Sequence, residues 1–170
     1  MADKIVNRVA KSSLITFDLE KLYQIGTRKA LDISQWLDHG IVLREKDFRT
    51  KLKDHDWKDY QDQFIALYCS SDAVLPAWAS PLVTTYLQPF ARKVVKGTLA
   101  DLEIQLFSDE IQKIDLKAFK DKSVIIKGCS DKTVPEDAYV QLITKLQPVV
   151  KSLFYGEACS SVPLLSLIHI

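Results

Sequence analysis

The sequence predicts an α/β domain built on a mainly parallel sheet, and two observations carry that expectation. Two apolar runs, Phe64 to Tyr68 and Ser123 to Lys127, each end at a polar loop bearing a cysteine, and each is followed by a helical pattern and a second apolar run. Strands alternating with helices in this way pair in parallel, because only a crossover can return the chain to the starting edge of the sheet. The pattern also repeats. Cys69-Ser70-Ser71-Asp72 through Gly97 returns as Cys129-Ser130-Asp131 through Gly156, 59 residues later after one deletion in the loop, with Pro76/Pro135, Ala79/Ala138, Leu87/Leu146 and Pro89/Pro148 in step. A fragment returns again as Cys159-Ser160-Ser161, so all three cysteines stand in one recurring phrase.

Taken along the chain, the first 60 residues predict a decoration at one edge of the sheet. Leu14 to Leu19 reads as a strand, Gln24-Ile25-Gly26-Thr27 as a turn, and Arg28 to Ile33 as the second strand of an N-terminal hairpin. Asp47 to Trp57 reads as a charged surface helix. The first repeat unit spans 61–97: strand Phe64 to Tyr68, the Cys69 loop, and a helix carrying Ala79, Leu82, Val83, Tyr86 and Leu87, which Pro81 interrupts so that Ser80 becomes its cap. Pro89 stops that helix, and Lys93 to Lys96 returns as a strand closed by Gly97. Residues 98–122 form a helical connection with Thr98 or Ser108 as candidate caps. The second repeat unit, 123–164, has the strand ending at Lys127, a helix from Pro135 to about Gln147 with Glu136 and Asp137 in its first turn, and a strand from Ser152 to Tyr155 closed by Gly156. Residues 165–170 are an atypical tail.

Composition narrows the function classes. With 170 residues, 47% hydrophobic and 26% charged, the chain is long enough to bury a substantial core as one soluble domain. Twenty-three basic residues nearly cancel 22 acidic ones and intersperse with them, as in Arg44-Glu45-Lys46-Asp47, so nothing offers a nucleic-acid backbone a positive track. No apolar stretch is long enough for a membrane span, and Met1-Ala2-Asp3-Lys4 does not resemble a secretory leader, so a cytosolic protein with reduced thiols is expected.

The thiols supply the candidate chemistry. Loops after the carboxyl ends of parallel strands gather on one rim and form the binding crevice. Cys69 and Cys129 occupy that position, and Cys159 follows Gly156 at the end of the last strand. If the two cysteine-bearing strands are neighbours, a three-thiol metal site of Cys69, Cys129 and Cys159 is expected, with Ser71, Asp72, Ser130 and Asp131 organising the loops or touching a cofactor. Thiolates select zinc, copper(I) or iron–sulfur clusters. Two rivals stand beside this reading. One is an enzyme with a cysteine nucleophile and Asp72 or Asp131 orienting a base. The other is an interaction module anchored by Trp36, Trp57 or Trp78, the cysteines merely packing. His55, beside Trp57, is the one histidine placed to serve the thiols, and it reads as solvated. A phosphate cradle built on cysteine would want an arginine about six residues after the thiol, where Leu75 and Pro135 stand, although Lys127 or Lys132 could hold a small anion beside the second loop.

The phrases His55-Asp56-Trp57, Cys69 through Ala79, Val124 through Asp131 and Gly156-Glu157-Ala158-Cys159-Ser160-Ser161-Val162-Pro163 resemble the small bacterial family catalogued as domain of unknown function 2480, over about Ile5 to Leu164. The resemblance implies no reaction. It does imply company, since such genes neighbour those for iron–sulfur cluster assembly, and iron–sulfur assembly proteins are the partners it points to. Pro81 and the apolar ending Leu165 to Ile170 depart from the family pattern, so His169 carries no functional weight.

Overall fold

A strand that is apolar at every residue must be covered on both faces, and Phe64–Tyr68 sets the layout of half of the molecule. The computed structural model describes residues 14–128 and 131–166. The chain divides into two compact units, one continuous over Gln24–Leu106 and one assembled from Met1–Tyr23 with Phe107–Ile170. The strands are β1 (Leu14–Phe17), β2 (Arg28–Asp32), β3 (Phe64–Tyr68), β4 (Lys93–Lys96), β5 (Ser123–Ile126), β6 (Ser152–Glu157) and β7 (Ser160–Leu165). The α-helices are α1 (Glu45–Asp54), α2 (Ala79–Leu87), α3 (Leu99–Gln112) and α4 (Glu136–Leu146). The architecture is α/β with two mostly parallel sheets rather than the one expected: β2-β3-β4, wholly parallel, and β1-β5-β6-β7, parallel but for the last pair.

In the continuous unit, β3 is the central strand, and alternation along it decides what covers each face. Ile65 and Leu67 lie in one buried cluster with Phe48 and Leu52 of α1 and Val83 and Leu87 of α2. Phe64 and Ala66 lie in another with Leu102 and Leu106 of α3. Each fully buried side chain of this size contributes about 1.5–3 kcal/mol. The edge strands carry Lys29, Lys93 and Lys96, charges that discourage pairing with another chain. Pro81 does not interrupt α2. It is the third residue of the helix, in the first turn, where a missing N–H costs nothing, and the cap position falls on Trp78 instead of Ser80. Thr98 does cap α3: its hydroxyl accepts from Asp101 N at 3.2 Å, while Asp101 Oδ2 accepts from Thr98 N at 2.7 Å. Ser108 is buried inside that helix.

Beyond α1, which begins at Glu45 and stops at Asp54, the chain makes a 3₁₀ turn, Trp57–Tyr60, capped by Asp56. Its aromatic residues are interior. Trp36 and Trp57 are only 4% and 6% exposed, and Trp57 Nε1 donates to Leu52 O at 2.7 Å. His55 is half-buried rather than solvated, with its ring edge-on to Trp36 and Trp57 and Nε2 2.8 Å from the Tyr60 hydroxyl.

In the discontinuous unit, β5 runs between β1 and β6. Val124 and Ile126 pack with Phe107 and Ile111 of α3 and with Ala138, Leu142 and Leu146 of α4. Lys145 Nζ donates to Ile111 O at 2.8 Å, satisfying a carbonyl at the end of α3. The expected N-terminal hairpin is absent. β1 pairs with β5 and β2 with β3, both in parallel, and a 3₁₀ turn, Leu19–Leu22, follows β1. Residues Leu14 to Phe17 and Arg28 to Asp32 have the strand character expected of them, but their partners come from later in the chain. The hairpin that does form is β6–β7, whose second strand was not expected from the sequence.

Ile65, fully buried on the central strand, is expected to cost about 2–5 kcal/mol when replaced by alanine. The loss should appear as a lower urea midpoint at unchanged slope. His55 supplies a pH test. Burial pushes it below its ordinary 6.5, Asp56 and Asp59 oppose that shift, and Lys29 assists it. The fold therefore prefers the neutral ring, so its contribution is whole above 6.5 and declines as pH falls through that value toward the lower folded pKa. Thermal midpoints measured between about pH 8 and pH 5 should fall with acid, and His55→Phe should flatten that fall.

Candidate functional site

The pairing register dictates what surrounds Cys69. Asp32, the last residue of β2, stands opposite Tyr68, the last residue of β3, so its carboxylate reaches the residues that follow Tyr68. Asp32 Oδ1 accepts from Ser70 N at 3.0 Å and from Ser34 N at 2.9 Å, and the Ser34 and Ser70 hydroxyls meet at 3.1 Å. Burial raises the Asp32 pKa, but the hydrogen bonds from Ser70 and Ser34 outweigh it and hold the carboxyl at about 2. One carboxylate thus caps the 3₁₀ turn Ile33–Trp36 and fastens the loop after β3.

Cys69 itself is half-buried. It packs against the cluster that holds Ile65 and Leu67, as alternation along the strand requires, and its Sγ lies 3.4 Å from the Ser71 hydroxyl. Asp72 is exposed, and with Ala73, Val74 and Pro76 it faces Ile41, Val42 and Leu43 across an open cleft of about 380 Å³. Val74 and Ile41 are 94% and 61% exposed.

The second loop is fastened by different residues. Asp18 follows β1, caps the 3₁₀ turn through Glu20 N at 3.0 Å, and lies 3.5 Å from Lys127 Nζ, whose pKa it pushes up. Both oxygens of Glu20 then accept from the loop: Oε2 from Asp131 N and Oε1 from Lys132 N, each at 3.1 Å. Lys132 Nζ lies over the Tyr23 ring. Gly128 admits the Tyr155 ring so closely that a Cβ there would sit 3.0 Å from it. Cys129 and Ser130 lie outside the described residues. Cys159 is exposed in the two-residue turn between β6 and β7, where Glu157 pairs with Ser160.

Several expectations change on this geometry. The cysteine-bearing strands β3 and β5 belong to different sheets and do not pair with each other. Cys69 belongs to the continuous unit, Cys129 and Cys159 to the discontinuous one. Among the described residues no three histidine, cysteine, aspartate or glutamate side chains stand together as a metal site. Trp36 and Trp57 are buried and cannot anchor a partner, whereas Trp78 stays partly exposed with the Arg49 guanidinium over its ring. His55 is committed to Tyr60. No helix among the described residues is long and apolar enough to cross a membrane.

The residues that sequence reasoning missed are Asp32 and Glu20. A signal for them existed: Phe17-Asp18-Leu19-Glu20 and Leu31-Asp32-Ile33-Ser34 share the order of an apolar strand end, an aspartate, an apolar residue and a polar one. That order marks a capped turn directly after a strand.

No curated protein and no solved structure matches the chain. A family model described as Protein of unknown function (DUF2480) matches residues 3–166, and with that span covered the chain belongs to this family.

Proposed function

We propose that this protein is an accessory protein that handles a soft metal ion or an iron–sulfur species through thiolates. Cys129 and Cys159 form the ligand pair of the discontinuous unit, and Cys69 is a separately presented thiol of the continuous one. The observation that carries the reading is the register of β5 and β6. Ile126 pairs in parallel with Tyr155, and in sequence Cys129 follows Ile126 by three residues while Cys159 follows Tyr155 by four. In sequence both cysteines therefore follow the carboxyl ends of adjacent strands, and adjacent strands are spaced about 4.8 Å apart. Two soft ligands leave further coordination positions to a partner, as a carrier that must release its cargo requires. Iron–sulfur assembly proteins are the partners of this reading, and zinc or an iron–sulfur cluster its cargo.

The division of labour among the thiols rests on a second inference, that the two strand, cysteine loop, helix, strand segments are copies of one unit. Its support is a constant spacing of 59 residues (124 less 65, 142 less 83) between buried residues of like role: Ile65 and Val124, Leu67 and Ile126, Val83 and Leu142, Leu87 and Leu146. Asp62 and Asp121 share the spacing and a positive φ, as do Gly97 and Gly156. Phe48 with Phe107 and Leu52 with Ile111 extend it into the preceding helices. At this spacing Cys69 answers to Gly128 and not to Cys129, so the deletion read from the loop is unnecessary and the two thiols stand at different steps along equivalent loops.

Anaerobic purification followed by metal analysis and an absorption spectrum tests the proposal. Stoichiometric metal is expected, with Cys129→Ser and Cys159→Ser each abolishing it and Cys69→Ser leaving it in place. A metal-free protein, or metal retained in Cys129→Ser, would overturn the reading. A cysteine that alkylates much faster than the others in a metal-free protein would favour the nucleophile instead.

A further inference from the structure

We infer that Asp32 is a positioning residue for the Cys69 thiol, holding the loop Cys69–Asp72 against the end of β2. The inference rests on the reading of Cys69 as a functional thiol and adds the device that presents it. Asp32 ends the strand beside β3, and its carboxylate takes the backbone N–H of the residue directly after Cys69 and, through Ser34, ties that residue to the 3₁₀ turn Ile33–Trp36. The Ser70 N–H lies two residues past the end of β3, so this bond constrains the direction in which the chain leaves the strand. That direction decides whether Sγ stays on the Ser71 hydroxyl and against the core, or swings into solvent.

Glu20 does the corresponding work at the second loop with a different side chain from a different position. It follows its strand-end aspartate by two residues, and its two oxygens take Asp131 N and Lys132 N. Asp18, at the place that matches Asp32, is turned instead to the cap and to Lys127. Two unlike solutions with one outcome, a carboxylate fastening the loop that carries a cysteine, are what a requirement on the loop produces. A capping requirement alone would be met in both units by the aspartate.

The test uses the full chain carrying Cys129→Ser and Cys159→Ser, so that Cys69 alone reports. Asp32→Ala should raise the rate at which iodoacetamide alkylates Cys69 by about tenfold, the scale set by losing hydrogen bonds to a charged acceptor. Asp32→Asn, which keeps an oxygen in place, should remain within about threefold of its parent. Equal rates in Asp32→Ala and its parent would overturn the inference. So would equal acceleration in both variants accompanied by the same fall in thermal midpoint, the mark of a purely structural residue. Amide hydrogen exchange at Ser70 in the unsubstituted protein provides the second measurement, which stands even if Asp32→Ala does not fold. Slow exchange is expected, and exchange at the rate of an open loop would overturn the inference. The Ser70 amide is read without any metal, so a metal-free protein with a protected Ser70 removes the metal reading alone, and a metal-loaded protein with an unprotected Ser70 removes only the role of Asp32.

Discussion

Parallel pairing cannot be made by a short turn, and in this chain that constraint distributes nearly every other element. Because β3 lies parallel to both β2 and β4, the chain must cross over twice, and the crossovers bring α1 and α2 onto one face. The other face, carrying Phe64 and Ala66, is then covered by α3. The same rule places α4 on β5 and β6. Strands buried in this way have no need of alternating polarity, which is why Phe64-Ile65-Ala66-Leu67 and Val124-Ile125-Ile126 are continuous apolar runs. It also sends all the carboxyl ends within a parallel set to one rim, and the cysteine loops begin there.

What the sequence disclosed follows the same physics. β3 and β4 fall within the limits read from their apolar runs, and α4 lies within one residue of its expected ends, because continuous burial and helix punctuation are local properties. Partner choice is not local. Leu14 to Phe17 carries no mark that would distinguish a hairpin strand from one that pairs with Ser123 to Ile126, and the turn signal Gln24-Ile25-Gly26-Thr27 made the hairpin the natural reading. β7 was not expected from the sequence, and Pro163 within it is tolerated because β7 lies at the edge of its sheet. The tryptophans misled for a related reason. Trp57 stands amid charged residues in sequence, yet its ring is interior because the 3₁₀ turn after α1 folds it back under Leu52.

The loops were half legible. The cysteines, serines and aspartates stood out as a recurring phrase, but the groups that fasten them come from elsewhere: Asp32 lies 38 residues before Ser70, and Glu20 lies 111 before Asp131. No window along the chain contains both ends of such a bond. Only the sheet register, which sets Asp32 opposite Tyr68, makes the first of them necessary. The recurring phrase also conveyed more equality than the backbone supports, since β3 ends immediately before Cys69 while Lys127 and Gly128 separate β5 from Cys129.

The insertion of one unit within the sequence of the other has a consequence for biosynthesis. On a ribosome β1 emerges before the continuous unit, yet its partner β5 is encoded after the whole of Gln24–Leu106. The continuous unit holds its own two ends together, Gln24 Nε2 donating to Leu106 O at 3.1 Å, so it has what it needs to condense while translation continues. β1 must wait without its partner until β5 is made, and during that interval it is a natural client for a chaperone.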